Sequence, residues 1–354
     1  MGELRATISA MLRRAMRPYL MARARLRGRA FFCTALAGHS DSNLCINSDL
    51  TVTCSCHDVD GSGRIGDLKC DSLEAILAGP TAARFRAELA QGRLPTPLCV
   101  RCCDLRTVAA DQAIRLAAEH RLPSFVAVEN TSDCNLRCAS CPRLWIRRLR
   151  TKRSMSLHDV ERVAEELKAA GVARLGYLNF GEPFLSRNIR RELEILREVC
   201  PWLWITTSTN AMPIDSDEKR EAALLMDKIQ ISLHGIDQRT AAKYQRGIVF
   251  QRSYDNMQAL AEYRKARGLA RPVLVWKYLL FRWNDRPAYL LRAIEMGRMA
   301  GVDEICFEKT VSPLDGLSWR WLLGMLNGVG RPSGDEICID LRPTRELQCT
   351  ATAR

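Results

Sequence analysis

From residue 124 onward the chain alternates two kinds of pattern. Short apolar or β-branched runs, at Ser124–Glu129, Leu175–Phe180, Leu203–Thr207, Lys228–Ser232, Val273–Leu280 and Glu304–Glu308, have the length expected of parallel strands. Between them apolar residues recur every three or four positions, which predicts helices over Leu157–Ala170, Asn188–Val199, Asp217–Met226, Ser253–Arg267 and Pro287–Ala300. The first of these has both end signals: Ser156 caps its start with Asp159 three residues on, and Gly171 can take the left-handed conformation that stops it. Six strands joined by five helices predict an α/β architecture, a parallel sheet curled into an open barrel. Ligands of such a sheet bind beyond the carboxyl ends of its strands, so functional residues are expected just after each one.

Upstream the pattern changes. Leu4, Ile8, Met11, Leu12, Ala15 and Tyr19 recur at helical spacing, interleaved with Arg13, Arg14, Arg17, Arg23, Arg25, Arg27 and Arg29. This predicts a basic amphipathic helix, either docked on its own protein or lying on an anionic membrane surface. The organisation expected is therefore a basic helix (1–30), a cysteine-rich segment (31–120), the barrel (121–312) and a less regular tail (313–354).

Composition narrows the class. With 354 residues, 47% hydrophobic and 26% charged, the chain is an ordinary globular sequence and not a disordered one. No apolar run approaches the roughly 20 residues of a bilayer span. Arginines interrupt the first thirty residues, which lack a secretory core, so a cytoplasmic location is expected. The net charge of +13 admits nucleic acid, lipid or acidic substrates as partners. Because the arginines bunch in the first helix instead of spreading over the barrel, nucleic acid is the least favoured.

Fifteen cysteines change the picture most. Without a secretory signal, clustered cysteines mean metal more often than disulfides. Cys33, Cys45, Cys54, Cys56, Cys70, Cys99, Cys102 and Cys103 fall in one segment, and Cys134, Cys138 and Cys141 in another. The latter three follow the first barrel strand with spacing C-x3-C-x2-C. One short loop with three thiolates can hold three corners of a [4Fe–4S] cube and leave one iron open. A structural zinc site would want four closed ligands.

This loop, Cys134-Asn-Leu-Arg-Cys138-Ala-Ser-Cys141-Pro142, resembles the defining motif of the radical S-adenosylmethionine (SAM) superfamily. Further matches follow at successive strand ends. Gly181-Glu182-Pro183 is similar to the glycine–glutamate motif that holds the SAM ammonium, and Ser208-Thr209-Asn210 looks like the strand end that contacts its ribose or carboxylate. Ser232-Leu233-His234-Gly235, Arg246 and Asn284 stand where the family has further contacts. The resemblance covers residues 124–312 and implies a partial (β/α)6 barrel of the TIM type. It implies reductive cleavage of SAM to a 5′-deoxyadenosyl radical that abstracts hydrogen from substrate. A low-potential electron donor such as ferredoxin or flavodoxin is implied as a partner.

The stretch from Cys33 to Cys102 is similar to the auxiliary-cluster (SPASM or twitch) domain of these enzymes, with helices expected at Ser72–Leu77 and Ala82–Leu89. It departs from that pattern twice, by preceding the barrel and by carrying Asp49-Leu50 where Asp-Gly is usual. The resemblance implies a second [4Fe–4S] cluster on Cys33, Cys54, Cys99 and Cys102, with Cys56 or Cys45 as substitutes if the register slips. A zinc ribbon is the alternative. Cys306, in the last strand, is a candidate hydrogen donor or a plain core residue. Relatives oxidise peptides or oxidise and epimerise sugars, so an oxidation or epimerisation of a peptide or sugar-type substrate is expected. The competing functions are a zinc-loaded, non-catalytic nucleic-acid-binding protein and a radical SAM enzyme that modifies RNA.

Overall fold

The computed structural model describes residues 2–118, 120–326, 329 and 333–342, with side chains from Met11 onward. Helix α1 (Gly2–Leu26) leads into strand β1 (Arg29–Cys33). Strands β2 (Cys45–Ile46), β3 (Thr51–Thr53) and β4 (Arg64–Asp67) follow, then helices α2 (Leu73–Ala78) and α3 (Pro80–Ala90). A 3-10 turn at Pro97–Arg101, strand β5 (Leu105–Ala109) and helix α4 (Ala110–Ala118) complete the first part.

The second part opens with β6 (Phe125–Val128), followed by α5 (Arg143–Leu149), α6 (Leu157–Ala169), β7 (Arg174–Gly176), α7 (Ile189–Val199), β8 (Trp204–Thr209), α8 (Asp217–Leu224) and β9 (Lys228–Ser232). It continues with α9 (Gln238–Ala242), α10 (Phe250–Ala266), β10 (Val273–Leu280), α11 (Pro287–Ala300), β11 (Glu304–Lys309), α12 (Trp319–Leu322) and β12 (Glu336–Asp340). Capping accounts for α6: Ser156 Oγ accepts from Asp159 N while the Asp159 carboxylate accepts from Ser156 N, the reciprocal pair expected. Gly301, at φ 72°, closes α11 in the left-handed conformation that favours glycine.

Among the described residues one ten-stranded sheet runs β12-β11-β10-β9-β8-β7-β6-β2-β3-β4. Strands β6 to β11 lie parallel and in chain order, as expected of a partial barrel. The two faces of this run differ sharply. Ile205, Thr207, Ile229, Ile231, Leu274, Trp276, Tyr278, Ile305 and Phe307 are buried on one face. On the other, Thr206, Ser208, Lys228, Gln230, Ser232, Lys277, Glu304 and Glu308 are half-buried and polar. Lys277 pairs with Glu308 at 2.8 Å and Lys228 with Glu304 at 3.7 Å on that face. The same face also holds Val275 and Cys306, which are buried.

Three expectations change. The tail adds β12, antiparallel to β11, with Cys306 directly opposite Cys338. Strand β7 stops at Gly176: Tyr177 N still donates to Thr206 O of β8 at 2.7 Å, but the Tyr177 hydroxyl is taken up by the buried Glu192, and Asn179 reaches Cys45. The basic helix docks on its own protein, but not by the face its apolar periodicity marks. Leu20, Met21 and Ala24 pack on the core, and Arg17 Nε donates to Leu94 O at 2.8 Å, whereas Met11, Leu12 and Tyr19 are exposed. Leu4 and Ile8 lie outside the described side chains. No described helix is long and apolar enough to cross a membrane.

The cysteine-rich part is joined to the barrel through the sheet itself. Strand β2 pairs parallel to β6, Cys45 opposite Ala127 and Ile46 opposite Val128. The hairpin between β2 and β3 turns at Leu50 with φ 67°, the conformation that the more usual Asp-Gly would supply without strain. Beside this turn Arg150 pairs with Glu129 at 2.7 Å, their side chains 5% and 0% exposed. Arg150 also donates to Asn47 Oδ1 at 2.7 Å.

Removing one partner of a buried ion pair strands the other charge. We expect Arg150→Met to lower the unfolding free energy in urea by about 3–5 kcal/mol. The double replacement Glu129→Gln/Arg150→Met should recover part of that loss.

Candidate active site

The loop after β6 places its three cysteines at the carboxyl end of the sheet. Cys134 and Cys138 are half-buried and Cys141 is exposed. Neighbouring strand exits hold the loop. Glu182 N donates to Asp133 O at 2.7 Å, Arg137 N to Arg246 O at 2.9 Å and Ala139 N to Tyr244 O at 2.9 Å. Asn210 Nδ2 donates to Asn135 Oδ1 at 2.8 Å. Gly181 is indispensable here: a Cβ on it would lie 1.8 Å from Thr131 O, so only glycine lets the β7 exit and the cysteine loop approach.

Burial raises all three thiols, Cys134 up to about 11. The buried guanidinium of Arg143 pulls the other way on each. Soft ligands, a positive neighbour and three sulfurs from one loop fit an iron–sulfur cluster, whose thiolates carry the negative charge that Arg143 offsets.

The predicted SAM contacts converge on the same end of the sheet, but several are engaged with each other. Glu182 is buried and accepts four hydrogen bonds: Thr209 Oγ1 at 2.6 Å and Phe184 N at 3.4 Å on one oxygen, Asn210 N at 2.8 Å and Asn210 Nδ2 at 2.6 Å on the other. Burial nevertheless pushes its carboxyl up to about 7. Its demonstrable job is to tie the β7 exit to the β8 exit. Pro183 begins the buried turn that Glu182 caps. Ser208 and Ser232 bond to each other at 2.9 Å across β8 and β9 on the polar face. Arg246 is exposed, and its backbone supports the cysteine loop.

His234 and Asn284 are structural. His234 Nδ1 accepts from Leu279 N at 3.2 Å, and Asn284 bonds His234 O, Leu279 O and Phe281 N. Burial, with Lys277 nearby, lowers His234 to about 3.

Upstream, Cys33, Cys54, Cys99 and Cys102 line one apolar cavity with Leu36, Phe85 and Leu89. Gly63 leaves room beside Cys54: a Cβ there would lie 3.3 Å from its Sγ. Cys56 is turned elsewhere, its Sγ 3.1 Å from Asn43 Oδ1 and 3.2 Å from His57 Nδ1. The same Asn43 donates to Cys103 Sγ at 3.2 Å. Cys45 faces Asn179. Cys54 thus lines the cavity with Cys33, Cys99 and Cys102, whereas Cys56 and Cys45 do not. Burial is the main cause that raises the thiols of Cys33, Cys54 and Cys102.

Cys306 requires a correction. It is bonded to Cys338 as a disulfide, so in this state it has no S–H to donate. Sequence reasoning also missed Arg143, Asn135, Lys277 and Glu308. Lys277 carried a signal, since it is the one charged residue in the apolar run of β10, whereas Glu308 shares β11 with Glu304 and Lys309.

Residues 128–275 match the family model of the Radical SAM superfamily. The match is to a radical SAM-like region covering less than half of the chain. It runs from the end of β6 into β10 and contains Cys134, Cys138, Cys141, Glu182, Ser208, Asn210, Ser232 and Arg246. No curated protein matches the chain. Among solved structures it is similar to TYW1 with a lysine–pyruvate adduct bound (14% identity, 58% of this chain and 71% of that one, TM-score 0.37). It is similar to native anSMEcpe with AdoMet (13%, 52% and 50%, TM-score 0.38) and to BtrN with AdoMet and 2-DOIA (21%, 37% and 50%, TM-score 0.28). The chain spans about half the length of the latter two.

Two outcomes follow. Gly181→Ala should displace the cysteine loop and abolish iron retention after anaerobic reconstitution, read as loss of the brown absorbance, while far-ultraviolet circular dichroism stays close to wild type. His234 is neutral when folded but binds a proton below pH 6.5 when unfolded. Stability therefore falls as pH drops from about 6.5 towards 3, by at most about 1.4 kcal/mol per pH unit. Urea unfolding at pH 7 and pH 5 should show this loss, and it should shrink in His234→Asn.

Proposed function

We propose that this protein is a radical SAM oxidoreductase or epimerase acting on a peptide or sugar-type substrate, with an auxiliary iron–sulfur cluster. Cys134, Cys138 and Cys141 would hold the SAM-binding cluster, and Cys33, Cys54, Cys99 and Cys102 the auxiliary one. Bound there, the cluster and SAM supply the reductive cleavage that makes a hydrogen-abstracting radical.

The observation that carries the second site is the gathering of four cysteines, far apart in sequence, around one apolar cavity. Tetrahedral zinc draws its sulfurs to about 3.8 Å of one another. Among the described residues, three ligand atoms mutually within 4.8 Å occur only at Cys306, Glu336 and Cys338. No three sulfurs of the cavity cysteines meet that limit.

The remaining machinery belongs to the chain. Gly181 and Asn135 fix the loop, Glu182 and Asn210 brace the pocket wall, and Arg143 offsets thiolate charge. Ser208, Ser232, Lys277 and Glu308 present hydroxyls and a paired charge to whatever lies on the polar face. Such a face suits a hydroxyl- or amide-rich substrate better than an apolar one. An external low-potential reductant, such as ferredoxin or flavodoxin, completes the reading.

Replacing Cys134, Cys138 or Cys141 by alanine should abolish 5′-deoxyadenosine formation in an anaerobic assay. Cys99→Ala or Cys102→Ala should leave measurable SAM cleavage and lower the iron content by about four atoms per chain. Colourless protein with stoichiometric zinc would sink the proposal.

A further inference from the structure

The connections that leave β9 and β10 build a cleft with a lining of its own. It has a volume of about 360 Å3 and is lined by Arg239, Thr240, Lys243, Arg282, Trp283, Arg286 and Tyr289. Four of these are cations and none is an acid. Several other arginines on this surface are tied to carboxylates, as at Arg191 with Glu198 or Arg267 with Glu221. Arg239, Lys243, Arg282 and Arg286 form no ion pair among the described residues. The carboxylates nearest in sequence are committed elsewhere: Asp237 caps α9 through Thr240, and Asp285 is buried against Ser318 and Arg320.

Like charges gathered in a cleft repel one another and focus a positive potential into it. That arrangement costs stability unless an anion enters. The walls are rigid, because Asn284 clamps the loop from both sides and Trp283 stacks on Phe281 at 4.7 Å. Trp283 also carries a buried indole N–H with no acceptor. Lys243 lies over the Trp283 ring and Arg286 over that of Tyr289, each about 6 Å from the centroid.

We infer that this cleft binds a phosphoryl anion, either a free oxyanion or the phosphate of an organic ester. Guanidinium forks match phosphate oxygens two at a time, and three of them around one cleft select for multiply charged groups. Trp283 and Tyr289 offer flat surfaces to an organic portion. The volume lies within the range of roughly 300–1,000 Å3 typical of small-ligand sites, which favours a small phosphate compound over a polymer. Nothing in this assignment requires iron, so it stands or falls separately from the proposed activity.

The test is calorimetry on the full chain at 50 mM salt with two probes, inorganic pyrophosphate and UDP-glucose. Both should bind, with affinity falling as salt rises. Arg282→Gln/Arg286→Gln should weaken binding tenfold or more, and Arg14→Gln/Arg23→Gln on the N-terminal helix should not. Arg239→Gln, on a different element, serves as the second variant if the first lowers the melting temperature. Equal affinity for the two probes assigns the cleft to free oxyanions. Tenfold tighter binding of UDP-glucose assigns it to an ester whose organic part rests on the aromatic wall. Absence of binding by both probes, undiminished binding by the variants, or binding of an RNA oligonucleotide alone would overturn the inference.

Discussion

The structure depends on one short piece of backbone pairing, Cys45–Ile46 against Ala127–Val128. Through it the cysteine-rich hairpin becomes the continuation of the barrel sheet instead of a body packed beside it. Two residues of ladder are weak alone, and the contact is secured by what surrounds it. Glu129, directly after β6, is buried against Arg150, and Arg150 reaches Asn47 in the hairpin turn. Asp49 accepts from Thr151 N at 3.0 Å. The segment that follows the three-cysteine loop therefore holds the turn that belongs to the other cysteine set. Each cysteine group is positioned in part by residues of the other.

Much of this was legible in the sequence, for identifiable reasons. Lys228–Ser232, Val273–Leu280 and Pro287–Ala300 were read with their observed limits because period and end signals agreed there. The gathering of Cys33, Cys54, Cys99 and Cys102 around one cavity was expected from the resemblance, whereas the contact of Cys56 with Asn43 had no signal in the sequence. Failures arose where tertiary contacts overruled local pattern. The N-terminal helix has a clear apolar period, yet its docked face is set by Arg17 and the carbonyl of Leu94. Strand β12 reads Glu-Ile-Cys-Ile-Asp, a short alternation that only a neighbouring strand makes significant. The engagement of Glu182 by Thr209 and Asn210 could not be read at all, since it joins two strand exits distant in sequence.

Charge organises the exposed surfaces as strongly as apolarity organises the core. On the polar face of the sheet lysines and glutamates are matched, so that face offers hydrogen bonds without a large net field. Around the β9 and β10 exits the cations are unmatched, and the field is not cancelled. Two surfaces built on the same strands thus have opposite electrostatic character. One suits neutral, hydroxyl-rich groups, and the other suits anions.

The pairing of β2 with β6 also has a consequence for the order of events on the ribosome. Cys45 and its partner Ala127 are 82 residues apart. At about 5–20 residues per second, roughly 4–16 seconds pass between the synthesis of one and of the other. During that interval eight cysteines have already been made, up to Cys103, and the strand that anchors their hairpin has not. Translation of this chain therefore includes a period in which the cysteine-rich segment exists without the strand that anchors its hairpin.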